Sequence, residues 1–307
     1  METIAKFTSN EIPGIRRPTF DAFLPFLEEK RAQIQGIPRK AFKYGPTDRH
    51  HLDVYYPIGA PHASGKTPIL FWVYGGGFTT GARRMAAPMD LGYACVGAFF
   101  ARRGFLVIIP DYRLFPDAVF PGAVEDVRAA ILWTIDNPAH LTTPSSPHPD
   151  TEQIFVMGHS AGATHVISAL LLPSTPHEWR ARIAGAILCA GAHHFDALDP
   201  EHETQAVVEQ LYGGKKGVKE NEPMGLLRRA DDATVAALPR MVLVVAENEP
   251  QWLHKASDDF AVALEARTGE KPSKIVARGH NHISVNWALS TGQGETWAED
   301  VIAWINA

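Results

Sequence analysis

At 307 residues, with 45% hydrophobic and 21% charged side chains, the chain has ordinary globular composition and material for one large α/β domain or two smaller ones. Its net charge of −5 argues against nucleic acid or an anionic membrane as partner, and no stretch nears the ~18 unbroken apolar residues of a membrane span. Cys95 and Cys189, far apart in apolar settings, read as buried free thiols. The first 17 residues lack the apolar core of a signal peptide, so a soluble, cytoplasmic protein is expected.

Residues 1–17 show no periodicity and are expected as an arm on the surface or over the site. Phe20, Phe23, Leu24 and Leu27 then fall at helical spacing, with Pro25 calling for two short helices or a kinked one. Residues 1–40 are grouped as an N-terminal arm or cap segment, ahead of a catalytic domain at 41–307. Residues 41–44 and 52–56 read as strands around a polar turn, an antiparallel edge on a mixed sheet. A Pro/Gly/Ser-containing loop follows at 59–68.

The apolar strand 69–73 runs into Tyr74-Gly75-Gly76-Gly77-Phe78. Consecutive glycines after a buried strand weaken regular structure, so they are either a flexible loop or an exposed backbone. The second reading lets the Gly76 and Gly77 N–H groups approach a developing oxyanion. Residues 94–103 read as a helix and 105–110 as a buried strand. Asp111 and Arg113 are expected as a charged pair bracing the loop below the site rather than as catalytic groups. Val124, Val127, Ile131 and Ile135 mark a helix, followed by a Pro/Ser/Thr-rich surface loop to Asp150.

Residues 154–157 form a short, strongly apolar strand ending in Gly158-His159-Ser160-Ala161-Gly162, with a small-residue helix over 161–172. Gly-x-Ser-x-Gly between strand and helix makes a sharp turn that lifts a serine hydroxyl clear of the sheet. A strand follows at 186–189. Residues 192–238, largely polar and charged, are either a lid or a helical crossover with one long loop. His193 and His194 open that segment, where they could face the pocket; neither stands at metal-ligand spacing with a cysteine or carboxylate cluster. Strand 241–245 leads to Glu247, Glu249 and Pro250, and a helix carries Trp252, Ala256, Phe260 and Leu264 on one face. Strand 273–277 leads to His280 and His282, and residues 296–305 close the chain as an amphipathic helix.

Alternating strands and helices put functional loops at the C-terminal edge of a parallel sheet. Ser160, the glycine loop, Glu249 and His282 all follow predicted strands, in the order nucleophile, acid, base. The imidazole takes the serine proton, and the carboxylate holds the imidazole in the right tautomer. Glu247, nearer its strand end, rivals Glu249, and His280 rivals His282.

These residues resemble the α/β-hydrolase fold, and within it the hormone-sensitive-lipase-like esterases and the related kynurenine formamidases. The likeness covers residues 69–305. It is carried by Tyr74-Gly75-Gly76-Gly77, Asp111-Tyr112-Arg113-Leu114, Gly158-His159-Ser160-Ala161-Gly162, Glu249-Pro250 and His282. It implies a mostly parallel twisted sheet with helices on both faces and a small cap. It also implies Ser160 as nucleophile, His282 as base, and an oxyanion hole from the Gly76, Gly77 and Ala161 amides. Two positions depart from the family pattern. Tyr74 stands where histidine is usual, so a loop-bracing bond is either taken over by the phenol or lost. Glu249 stands where aspartate is usual, with one more methylene of reach.

The reaction these features imply is hydrolysis of a small-molecule, short-chain ester through an acyl-enzyme, without a cofactor. An arylformamidase or amidase would use the same triad. A transacylase would need a cap shielding the acyl-enzyme, and a silent receptor of this fold would have lost a triad member, which this chain has not.

Overall fold

In the computed structural model, which describes residues 1–58, 65–144, 146 and 148–307, eight strands form one sheet. They are β1 (Arg39–Lys43), β2 (His51–Tyr55), β3 (Thr67–Val73), β4 (Leu106–Pro110), β5 (Pro149–His159), β6 (Ile183–Cys189), β7 (Arg240–Asn248) and β8 (Ser273–Asn281). Residues 59–64 of the loop read at 59–68, and residues 145 and 147 of the loop before Asp150, lie outside the described residues.

The sheet order is β1-β2-β4-β3-β5-β6-β7-β8. β2 runs antiparallel to both its neighbours, and every other pairing is parallel. The hairpin expected at the edge is therefore present. Chemistry follows position. β4, in the interior of the sheet, is buried along its whole length and reads Leu-Val-Ile-Ile-Pro. β1, at the edge, carries Arg39, Lys40 and Lys43 outward, charges that discourage pairing with another chain.

The chain steps from β3 back to β4 through helix Ala94–Ala101. It then moves the other way through Gly122–Asp136 to β5, Ala161–Leu171 to β6, and Gln251–Thr268 between β7 and β8. Right-handed crossovers in opposite directions put Ala94–Ala101 on one face and the other three helices on the opposite face. Ala94–Ala101 and Ala161–Leu171 are buried at every position, which explains their small residues. Cys95 and Cys189 are buried free thiols, both pushed up by burial.

One expectation needs correction. The N-terminal segment is not an irregular arm: Ile4–Lys6 forms a 3₁₀ turn, and one helix runs from Ile12 to Glu29 through both Pro18 and Pro25, followed by Arg31–Gln35. Its buried stripe of Ile15, Thr19, Phe23 and Leu27 holds it on the core, while both prolines face outward. The backbone carbonyls those prolines leave without an N–H partner can therefore turn to water. Of residues 192–238, read as either a lid or a helical crossover with one long loop, residues 192–202 run without helix or strand and the rest are largely helical. The helices are Glu203–Tyr212, Lys215–Asn221, Pro223–Arg229 and Asp232–Ala236. These helices bury Val208, Leu211, Tyr212 and Val218 in a second apolar cluster that also holds Phe78, Ala161 and Leu253, beside the turn that carries Ser160.

Candidate active site

β5 ends at His159, and the chain turns at Ser160 with φ 55° and ψ −125° before helix Ala161–Leu171 begins. A non-glycine residue held at positive φ costs on the order of 1–3 kcal/mol, so the surroundings must enforce it. The flanking glycines show how. A β-carbon at Gly158 would lie 2.5 Å from the Gly162 carbonyl oxygen, and one at Gly162 would lie 2.1 Å from that of Val73. The helix is thus seated directly on β5 and β3, and the Ser160 N–H is tied to the Cys189 carbonyl at 2.9 Å.

His282 follows β8. Its Nε2 is 3.0 Å from Ser160 Oγ, and its Nδ1 is 2.7 Å from Glu249 Oε2. The carboxylate can only accept, so Nδ1 carries the hydrogen and the Nε2 lone pair faces the serine hydroxyl. Glu249 and His282 are each only 2% exposed. The two rivals are engaged elsewhere. Glu247 takes the Gly279 N–H at 2.7 Å and lies 3.6 Å from Arg278 on the surface. His280 bonds Ser284 Oγ at 3.1 Å and the Gly294 carbonyl at 2.7 Å, and burial holds its pKa below the ordinary imidazole value.

The glycine loop after β3 approaches Ser160 closely. A β-carbon at Gly75 would lie 2.7 Å from Ser160 Cβ, and one at Gly76, where φ is 140°, would lie 2.1 Å from the Thr80 carbonyl oxygen. Gly77 has φ 58° and open space where a side chain would stand. Among the described residues, no hydrogen bond uses the N–H of Gly76, Gly77 or Ala161.

Tyr74 braces this loop. Its hydroxyl donates to Asp111 Oδ1 at 2.7 Å and accepts from Arg49 Nη2 at 2.8 Å, while the Tyr112 hydroxyl donates to the Tyr74 carbonyl at 2.8 Å. Burial pushes the Tyr74 pKa well above its ordinary value, so the donor is retained. Asp111 and Arg113 do brace the loops here, but not as a pair with each other. Asp111 binds Arg83 and Tyr74, whereas Arg113 binds Asp126 at 2.7 Å.

His193 and His194 lie apart from this constellation. His193 is fully buried and stacks on Phe260 at 4.5 Å, and His194 bonds Asp259 at 3.1 Å. Two residues that the motif reading passed over belong to the site. Asn281 Oδ1 accepts from the N–H groups of Ile283 and Ser284 at 3.0 and 2.9 Å, and Asn281 Nδ2 donates to Thr19 on the N-terminal helix at 2.9 Å. His159 Nε2 lies 2.9 Å from the main-chain oxygen of His282. Asn281, directly before His282, was a turn signal in the sequence; nothing in the sequence pointed from His159 to His282.

The family described as BD-FAE matches residues 52–178 of the chain. A protein of Oryza sativa subsp. japonica described as a "probable isoprenylcysteine alpha-carbonyl methylesterase" is 27% identical over 278 residues, covering 86% of this chain and 63% of its own length. The chain thus spans less than two thirds of that relative. A "probable carboxylesterase" of a Phoma species is 31% identical over 148 residues, covering 46% of this chain and 45% of its own. Among solved structures, esterase B of Lactobacillus rhamnosis superposes with a TM-score of 0.68 at 15% identity, covering 93% of this chain and 95% of that one. Among the described residues, no helix is long and apolar enough to cross a membrane.

Proposed function

We propose that this chain, an α/β-hydrolase by fold, is a serine carboxylesterase acting on small esters through Ser160, His282 and Glu249. The observation that carries the reading is the continuous contact from Glu249 through His282 to Ser160, at 2.7 and 3.0 Å, on a serine held at the strained turn after β5.

His282 Nε2 takes the Ser160 proton as Oγ attacks the ester carbonyl, and Glu249 offsets the positive charge that appears on the imidazole. The carbonyl oxygen becomes an oxyanion beside the Gly76, Gly77 and Ala161 amides, which have no internal acceptor among the described residues. Each such donor contributes about 3–4 kcal/mol to the transition state in known cases. His282 then protonates the departing alcohol, and water releases the acyl group by the same steps in reverse roles. The apolar cluster of Phe78, Phe195, Val208 and Tyr212 beside Ala161 supports a short acyl or alcohol group, since these side chains are all closely packed. In this reading the helices of 203–236 and the N-terminal helix form the cap. A methyl ester, the bond named in the rice relative's description, belongs to the substrate class considered.

The test is hydrolysis of nitrophenyl esters of short, medium and long acids beside an N-formyl aromatic amide, with wild type and Ser160→Ala run together. Fast turnover of the short esters that is lost in the variant supports the esterase. Poor ester turnover with fast deformylation transfers the same triad to an arylformamidase. No turnover of either overturns the hydrolase reading.

A further inference from the structure

The imidazole of His159 occupies the point where three parts of the site meet. It belongs to the residue before the nucleophile, and its Nε2 lies 2.9 Å from the His282 main-chain oxygen. A carbonyl oxygen only accepts, so Nε2 carries the hydrogen and donates it. His159 is 5% exposed, its ring centroid 4.8 Å from that of His282, with Trp72 stacked at 6.2 Å. The glycine loop rests on the same ring, since a β-carbon at Gly75 would lie 3.2 Å from His159 Nδ1.

We propose that His159 is a positioning residue for the catalytic base: its bond to the His282 carbonyl fixes the base's main chain relative to Ser160 and thereby holds the Nε2–Oγ contact. The inference rests on the hydrolase reading above. Glu249 grips the imidazole of His282 only at Nδ1, and one hydrogen bond leaves a ring free to pivot. The peptide bearing that ring must therefore be fixed separately. Asn281 fixes it from the following N–H groups, and His159 fixes it from the carbonyl. Burial, and then the neighbouring His282, hold the His159 pKa well below the ordinary imidazole value. It therefore stays neutral while His282 accepts the serine proton, and no like charge opposes that step. A displacement of about 1 Å at a reacting pair can cost about 100-fold in rate, so a tether of this kind is visible in kinetics.

The experiment compares His159→Gln, His159→Asn and His159→Phe. Glutamine carries an N–H donor at about the reach of Nε2, asparagine carries one too short to meet the carbonyl, and phenylalanine keeps the ring without a donor. The readouts are kcat and KM on the best nitrophenyl ester and the rate of Ser160 labelling by a fluorophosphonate. Labelling forms an Oγ–phosphorus bond, releases fluoride and sends the Oγ proton to His282. Rates are normalised to the folded fraction from thermal melts. Phenylalanine and asparagine should slow both labelling and kcat by about 10- to 100-fold with KM within about twofold, and glutamine should recover to within about fivefold of wild type. Wild-type labelling rates in the asparagine variant, or no recovery in glutamine, would overturn the tether. If phenylalanine does not fold, the asparagine–glutamine pair decides alone. Wild-type protein that neither labels at Ser160 nor hydrolyses any ester would instead overturn the hydrolase reading itself.

Discussion

In the proposed mechanism the Glu249 carboxylate does two things at once: it fixes which nitrogen of His282 carries hydrogen, and it offsets the charge when that ring is protonated. Glu249→Gln keeps the shape and removes both effects, because an amide can present N–H to Nδ1 and reverse the tautomer. A fall in kcat of roughly 1,000- to 10,000-fold is expected, with the melting temperature little changed. Glu247→Gln should stay within about twofold of wild type, since that residue bonds Gly279 and Arg278 at the surface. Parallel ester assays on the two variants check both. The pair also marks a limit of sequence reading. Both glutamates stand at the end of β7, and the β7–β8 register shifts between Ala246 and Asn248, so simple alternation along the strand does not say which of them turns inward. His282 and His280 were separable only by resemblance, and geometry separates them differently: β8 continues through His280, and His282 is the first residue free to turn toward Ser160 that also meets Glu249.

At the scale of elements, the strand–turn–helix carrying Ser160 was legible because both glycines answer a steric demand. Gly162→Ala puts a β-carbon against the Val73 carbonyl and must push the helix off β3. It should cost about 3 kcal/mol or more and most of the activity, read by urea denaturation and ester assay. The N-terminal helix was only half legible. Its apolar spacing was visible from Phe20, but Pro25 argued for a break or a kink, and the outward placement of that proline removes the conflict. This helix also reaches the site. Thr19→Val strands the Asn281 amide in a buried place, so a loss of about 1–3 kcal/mol is expected. Because Asn281 shapes the loop bearing His282, kcat should fall with it. A stability loss without any change in kcat would show that the effect of the Thr19 bond does not extend to His282. The helices between 203 and 236 stayed hidden because each is too short to display a helical period. Their start and stop signals were present all the same: Asp231 caps Thr234, His202 caps Thr204, and Gly213 ends its helix in the left-handed region.

Over the whole molecule, parallel strands buried on both faces announce themselves as unbroken apolar runs, which is why the sheet and its loaded edge could be read in advance. What one chain could not reveal is which histidines the fold would bury without charge. His159, His165 and His193 are all buried, and burial lowers each pKa: that of His165 to about 4 and that of His193 to about 3. The folded values lie below the unfolded one, so this part of the stability is complete above about pH 6.5 and is lost as pH falls toward the folded values. Through that window the unfolded chain binds protons that the native chain refuses. His193 isolates the effect, since both its ring nitrogens lack a hydrogen-bond partner among the described residues and its ring stacks on Phe260. His193→Phe therefore removes a titrating group without breaking a hydrogen bond. It should leave stability at pH 7 unchanged or slightly higher and shrink the loss between pH 7 and pH 5 by about 1–2 kcal/mol. Urea denaturation at the two pH values, followed by tryptophan fluorescence, measures both quantities. An unchanged pH slope in the variant would mean that His193 is already free to take up its proton in the folded protein.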